Sequence, residues 1–324
     1  MSPDLPPGLR AALAGALEGA GRKDLAARAA RTSDAYRAGK PSSAVIREAD
    51  DALAYALTRL PATYAACVSV LAEAARMAPG FQPASLMDAG AGTAAASWAA
   101  LEVWPGVASV RWLDASPLFL DLAGTLAAEV PVLAGADVRR ADLTGAGDWP
   151  RSDVVVASYA LAEIAPERQA AVVDSLWAAA GGLLVLVEPG TPAGYRRILS
   201  ARTALIEAGA MILAPCPHQT ACPLTGADWC HFSVRLPRGR DHRLAKGAEA
   251  PFEDERFSYL IASRPGVAAA SRAPRILAPP QAGKSGIALK LCGPEGLDQR
   301  FVARRDKAAH AVTRRLGWGD VFNV

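Results

Sequence analysis

Apolar positions recur every four residues at Leu9, Leu13 and Leu17, which predicts a helix with one buried stripe. From Ala44 to Met77 the chain is rich in Ala and Leu, with charges spaced between apolar positions, a second helical pattern. Pro41 and Pro61 punctuate this region and Pro79-Gly80 ends it. No motif in these residues points to chemistry, so a helical cap or docking module is expected. From Pro83 the period changes. Ser85 to Asp88 reads as a short apolar strand running into Ala89-Gly90-Ala91-Gly92-Thr93, followed by a helical stretch from Ala94 to Trp104. A second strand, Val110 to Leu113, ends in Asp114, and an apolar stretch from Val132 to Val138 leads to Asp142. Asp153 to Ser158 is a β-branched run, a helical segment spans Pro166 to Ala180, and Gly182 to Val187 is a further buried strand. Strands alternating with helices in this way predict a parallel sheet covered on both faces.

After Gly190 a helix of about Ala193 to Ala208 precedes a region rich in Cys, Pro and His. Strand candidates follow at His231 to Leu236, Arg256 to Ser263, Ile287 to Leu291 and Arg300 to Arg304. The organisation expected is a helical region over 1–80, an α/β domain over 81–265 with a Cys-rich insertion at about 214–232, and a basic module over 266–324.

Composition narrows the class. A chain of 324 residues that is 51% hydrophobic has enough apolar side chains for a large core, which excludes a mostly disordered protein. No uninterrupted apolar run approaches the roughly 18 residues a membrane span needs, and the N-terminal segment has no apolar targeting core. A cytoplasmic, monomeric protein without a membrane partner is expected. Charge is unevenly shared: residues 1–189 carry 15 Lys+Arg against 21 Asp+Glu, and residues 190–324 carry 20 against 11. A basic half of this kind suits a nucleic-acid partner, because Arg and Lys neutralise phosphates.

Asp88-x-Gly90-x-Gly92 lies between a strand and a helix. Its glycines permit a tight turn and close approach of the backbone to a ligand, and the helix start presents free N–H groups. Asp114, at the end of the next strand, is placed to bind ribose hydroxyls. The pattern resembles motif I and the acidic loop of class I methyltransferases, which bind S-adenosylmethionine on a Rossmann-like sheet, and it is also compatible with a dinucleotide fold. Asp88 would lie at the methionine end of the cofactor and Asp142 near adenine, while Ala94 stands where a third glycine often falls. No Asn-Pro-Pro-Tyr or Asp-Pro-Pro-Tyr follows strand four. Cys216, in Ala214-Pro215-Cys216-Pro217, comes too late in the chain for a methyltransferase nucleophile. Glu163 is the one acidic candidate near the expected pocket, and no catalytic residue is assigned.

Cys67 lies in an apolar helical context and reads as core. Cys216, Cys222, Cys230 and Cys292 are spaced C-x5-C-x7-C-x61-C. Four thiols in a cytoplasmic protein point to a metal rather than to disulfides. The absence of close C-x2-C pairs favours a [4Fe–4S] cluster over zinc, although His218 and His231 could complete a mixed zinc site.

The runs Glu188 to Tyr195, Ala214 to His218, Cys222-Pro223, Asp228 to Phe232 and Glu253 to Tyr259 are distinctive. They resemble the mitochondrial-type ribosomal small-subunit methyltransferase-like family, methyltransferase-like protein 17 and its bacterial relatives. The resemblance extends to Gly317-Trp318-Gly319-Asp320. It implies a class I methyltransferase fold and S-adenosylmethionine contacts at Asp88, Gly90, Gly92 and Asp114. It further implies a [4Fe–4S] cluster on Cys216, Cys222, Cys230 and Cys292, and a role in small-subunit assembly. RNA contacts are expected at Arg300, Arg304, Arg305, Lys307, Arg314 and Arg315. An active rRNA methyltransferase is the alternative. A redox enzyme is disfavoured because the C-x3-C-x2-C triad of radical S-adenosylmethionine enzymes is absent.

Overall fold

The computed structural model describes residues 3–37, 41–145 and 149–324. Three helices open the chain: α1 (Pro7–Ala16), α2 (Arg22–Arg37) and α3 (Ala49–Met77). The alternating region then gives β1 (Ser85–Ala89), α4 (Ala95–Val103), β2 (Ser109–Asp114), α5 (Pro117–Ala127), α6 (Pro131–Ala134), β3 (Asp137–Arg140), β4 (Ser152–Ser158), α7 (Pro166–Ala179), β5 (Ala180–Pro189) and α8 (Pro192–Glu207). Beyond these come β6 (Met211–Ala214), β7 (Phe232–Pro237), α9 (Arg240–Lys246) and β8 (Phe252–Ser263).

These strands form one sheet in the order β3-β2-β1-β4-β5-β8-β6. The pairs from β3 through β5 are parallel, whereas β8 runs antiparallel to both β5 and β6. The first half of β8 pairs with β7, so β6 and β7 lie one after the other along the same edge of β8. The loop joining them must cross that edge, and it carries three of the cysteines. Val154 to Val156 and Leu183 to Val187 are fully buried, as expected of central strands covered on both faces.

Helix α3 runs unbroken through Pro61, where the sequence pattern suggests a stop. A proline inside a helix costs about 3 kcal/mol. Here burial offsets that cost: Leu57, Leu60, Pro61 and Tyr64 are all enclosed, with α3 packed against α2, α4 and the sheet. The helical N-terminus and the sheet therefore share one core, to which Leu9, Leu13 and Leu17 also contribute. The stretch Val132 to Val138 divides into the one-turn α6 and the edge strand β3, whose residues are exposed because no strand lies beyond it.

A second sheet follows, built from β9 (Arg275–Ile276), β10 (Gln281–Ala282), β11 (Gly286–Gly293) and β12 (Gly296–Ala303), with α10 (Lys307–Thr313) after it. Ile276, Ile287, Leu289, Leu291, Val302 and Phe322 give it a small core of its own.

Candidate functional site

A cleft of about 1360 Å³ opens where β1, β2, β3 and β4 end. Gly90 (φ +73°) and Gly92 (φ +52°) form its floor, and a Cβ on Gly90 would meet the Ala160 methyl at 2.8 Å. Ala94 has φ +60°, so the position read as a missing third glycine does adopt a glycine-like backbone. Asp114 accepts from Gly92 N–H and from Ser116 N–H, each at 2.8 Å, which locks the turn to the end of β2. Burial pushes its pKa up, against the pull of those two bonds. Asp142 lines the same cleft, and its carboxylate accepts from Thr144 N–H and Oγ1–H, both at 2.8 Å, which lowers its pKa.

Asp88 is placed differently. Its carboxylate is fully buried beneath the turn and accepts from Ser97 N–H at 3.0 Å and Ser97 Oγ–H at 2.8 Å. Trp112 Nε1–H donates to the same Ser97 oxygen at 3.0 Å. Asp88 thus ties β1 to α4 and is absent from the residues that line the cleft. Burial raises its pKa to about 7.

The helical N-terminus supplies the facing wall with Thr32, Ile46, Tyr55, Thr58 and Arg59. Arg59 donates to Glu255 of β8 at 3.1 and 3.3 Å, and Tyr159 Oη–H donates to the same carboxylate at 2.7 Å. Tyr159 follows β4 directly, and its φ of +59° is uncommon for a residue with a Cβ. Burial, with Glu255 beside it, raises the phenol's pKa well above its ordinary value. Glu163 accepts from Ser42 N–H and Oγ–H, fastening the N-terminal segment over the cleft. The sequence offered two signals for this wall. Arg59 is the single charge between Asp51 and Glu73, and Tyr159 stands at the C-terminal end of a central parallel strand.

Cys216, Cys222, Cys230 and Cys292 line one small cavity of about 30 Å³, together with Tyr195, Arg202 and Tyr259. Three come from the loop between β6 and β7, and the fourth comes from β11 of the second sheet. Tyr195 Oη lies 3.2 Å from Cys222 Sγ, and His218 Nε2 lies 3.5 Å from Cys292 Sγ. Burial raises the Cys216, Cys230 and Cys292 thiols, the last to about 12, and their mutual proximity adds to the rise. Arg202 and Arg275 act in the opposite direction on Cys216 and Cys292. Among the described residues no group of three or more His, Cys, Asp or Glu is arranged as a ready metal shell. The donor set nevertheless fits a thiophilic centre: four sulfurs face one cavity and cations stand beside them. The loop is held by Trp229, which donates to Gly190 O at 3.1 Å and stacks on His231, itself edge-on to Trp318 of the C-terminal segment. Cys67 lies apart, buried in α3.

Arg304, Arg305, Lys307, Arg314 and Arg315 lie exposed at the end of β12 and along α10, with no ion-pair partner among the described residues. Arg300 is also exposed but pairs with Asp298 at 3.1 Å.

A parallel sheet with one antiparallel strand entering between its last two members, and a glycine turn meeting an acidic residue at the ends of its first two, defines a class I methyltransferase fold. Within that class, the chain belongs to the family described as mitochondrial small ribosomal subunit Rsm22, whose model matches residues 49–323. It is 30% identical over 291 residues to the human ribosome assembly protein METTL17, mitochondrial, an alignment covering 84% of this chain and 62% of that protein. An Rsm22-cox11 tandem protein of Schizosaccharomyces pombe is 29% identical over 52% of this chain and 29% of its own length. The chain thus spans less than two thirds of these relatives. Among solved structures, an O-methyltransferase family protein from Burkholderia thailandensis aligns over 72% of this chain and 64% of its own, at 13% identity and a TM-score of 0.47. Magnesium protoporphyrin IX methyltransferase from Synechocystis aligns over 68% and 85% respectively, at 18% identity and a TM-score of 0.40.

Proposed function

We propose that this chain is a cytoplasmic, monomeric assembly factor that binds the rRNA of the immature small ribosomal subunit. In this reading the cleft holds S-adenosylmethionine, with Gly90 and Gly92 as its floor, Asp114 on the ribose and Asp142 beside the adenine. Asp88 supports the turn from below. Cys216, Cys222, Cys230 and Cys292 hold a [4Fe–4S] cluster, with zinc as the alternative occupant. When bound, the cluster supplies four metal–sulfur bonds that cross-link the β6–β7 loop to β11. Metal affinity then becomes part of the folding free energy of the basic half. The observation that carries the reading is that four cysteines, three from one loop and one from a second sheet, line a single cavity.

The test is the iron, acid-labile sulfide and zinc content of anaerobically purified protein, beside Cys216→Ser/Cys292→Ser. Sedimentation of both with small ribosomal subunits completes it. Iron and sulfide in near-equal amounts, lost in the variant together with subunit binding, are expected. Stoichiometric zinc without sulfide replaces the cluster with a zinc clasp, and absence of any metal removes the centre.

One observation favours a second reading, an active rRNA methyltransferase. The cleft exceeds the roughly 300–1,000 Å³ of ordinary small-molecule pockets and so has room beside the cofactor. S-adenosylmethionine supplies an electrophilic methyl group when bound, and Tyr159 stands at the wall nearest the end of β4. Labelled methyl transfer to small subunits from a deletion strain separates the readings, with Gly90→Arg as the control. Methylation lost in that variant supports the enzyme. Full rescue of assembly by the same variant supports the binding factor.

A further inference from the structure

The second sheet has two unlike faces. Ile287, Leu289 and Leu291 of β11 and Val302 of β12 point into its core. Side chains alternate along a strand, so the residues between them share the opposite face. There Ala288 is paired with Phe301, Lys290 with Gln299 and Cys292 with Leu297, while Gln281 of β10 flanks Ala288. This face starts at the cysteine cavity, through Cys292, and ends at an aromatic ring. Phe301 is 54% exposed. A Cβ on Gly286 would lie 2.7 Å from its Cζ, so the ring rests across bare glycine backbone while about half of it meets solvent.

Unpaired cations lie in the two chain segments next to that ring. Arg304 and Arg305 follow it at the end of β12, and Lys284 lies in the β10–β11 turn. Arg304 N–H donates to Ser285 O at 2.8 Å, which brings the two cationic segments together. None of the three has an ion-pair partner among the described residues. Beyond Pro265 the chain carries ten Lys+Arg against four Asp+Glu. The side-chain amides of Gln281 and Gln299 are exposed on the same face.

We propose that this face is a stacking platform for single-stranded RNA, with one unpaired base on Phe301 and its flanking phosphates at Lys284, Arg304 and Arg305. The proposal rests on the RNA-binding reading above and adds to it which form of RNA is taken and by which face. An aromatic ring on a sheet suits the π-face of a base, and the amides suit its edges. A base inside an A-form duplex is already stacked and cannot reach the ring. An acidic peptide would use the cations but would leave the aromatic surface unexplained.

The experiment measures binding of a short oligoribonucleotide carrying 2-aminopurine, single-stranded and as a duplex, to the full chain. Phe301→Ala, Phe301→Tyr and Arg304→Gln/Arg305→Gln are compared with the wild type after each is shown to unfold at the wild-type midpoint. Phe301→Ala is expected to weaken single-strand binding about 5- to 100-fold with an unchanged salt slope. It should abolish the 2-aminopurine quench, while Phe301→Tyr keeps affinity and quench. Arg304→Gln/Arg305→Gln should lower the salt slope by about 1.4. Unchanged affinity in Phe301→Ala, with loss only in the arginine variant, removes the platform and leaves RNA binding standing. Equal weakening of duplex binding by Phe301→Ala also overturns stacking. No salt-dependent RNA binding by the wild type removes both readings together.

Discussion

Buried Arg275 on β9 forms an ion pair with the partly buried Glu73 near the end of α3, with 2.6 Å between nitrogen and oxygen. The same guanidinium donates to Pro215 O at 3.2 Å and to Gly319 O at 2.8 Å. One side chain therefore joins the N-terminal helices, the cysteine loop and the C-terminal segment. Burial works against its charge, and neighbouring Tyr259 and Glu73 hold its pKa above the ordinary value all the same.

Arg76, one turn on in the same helix, also pairs with Glu73, at 2.7 and 2.9 Å, so Glu73 keeps a cation when Arg275 is removed. Arg275→Met is expected to destabilise by about 1–3 kcal/mol, because it leaves the Pro215 and Gly319 carbonyls without a donor. Adding Glu73→Leu to Arg275→Met should cost much less than the sum of the two single changes. Denaturant unfolding of the four species measures the coupling, and simple additivity would exclude this pair as the joint.

A pH dependence follows from the buried carboxylates. Burial raises Asp88 from 3.8 to about 7. It likewise raises Glu188 from 4.5 to about 7, with Arg197 pulling the other way. A carboxyl with a raised folded pKa binds its proton more tightly when folded. Between about pH 4 and pH 7 the native state therefore holds more protons than the unfolded chain, so these groups make stability fall as pH rises. Asp88→Asn retains an acceptor for Ser97 and removes one titration. It should flatten the slope across that window by up to about 1.4 kcal/mol per pH unit. Urea unfolding at a series of pH values reads this directly, and parallel curves for wild type and variant would refute it.

The glycine turn gives a graded comparison. Gly92 has φ +52° and open space where a Cβ would go, so Gly92→Ala meets only the backbone cost of about 1–2 kcal/mol. Gly90 has φ +73° and the Ala160 methyl 2.8 Å from that position, so Gly90→Ala adds overpacking of about 1–3 kcal/mol. Gly90→Ala should be clearly the more destabilising of the two in chemical denaturation. Equal losses would mean that the loop after β4 yields freely.

Local periodicity carries much of the architecture. The strand–helix alternation, the glycine turn, the helix at α8 and both strand pairs near the C-terminus are patterns of neighbouring residues, and each is legible as such. What is not legible depends on distant partners. The insertion of β8 between β5 and β6 has no local signature. Arg59, Tyr159 and Glu255 meet only because three separate elements are brought to one wall of the cleft. Pro61 looks like a helix stop until α3 is seen to be enclosed by its neighbours. The four cysteines stand out as a set by residue type, whereas Arg202 and Arg275 beside them do not, since neither lies near them in the chain pattern.

Asp88 and Asp114 both frame the glycine turn, and the structure places them differently. Asp88 is enclosed by Ser97 and Trp112 and does not reach the cleft, whereas Asp114 lines it. The Asp114 carboxylate takes backbone N–H groups of Gly92, Ser116 and Ala115, which still leaves acceptor capacity for a donor in the cleft. If S-adenosylmethionine is held there by its ribose hydroxyls, Asp114→Ala loses a charge-assisted hydrogen bond of about 1.5–3 kcal/mol, or about 10- to 100-fold in affinity. Asp88→Asn changes no group facing the ligand and should stay within about threefold of the wild type. Titration calorimetry with S-adenosylmethionine distinguishes the two. Undiminished affinity in Asp114→Ala would take the ribose contact away from β2. A loss in Asp88→Asn equal to that in Asp114→Ala would mean that ligand reaches beneath the turn.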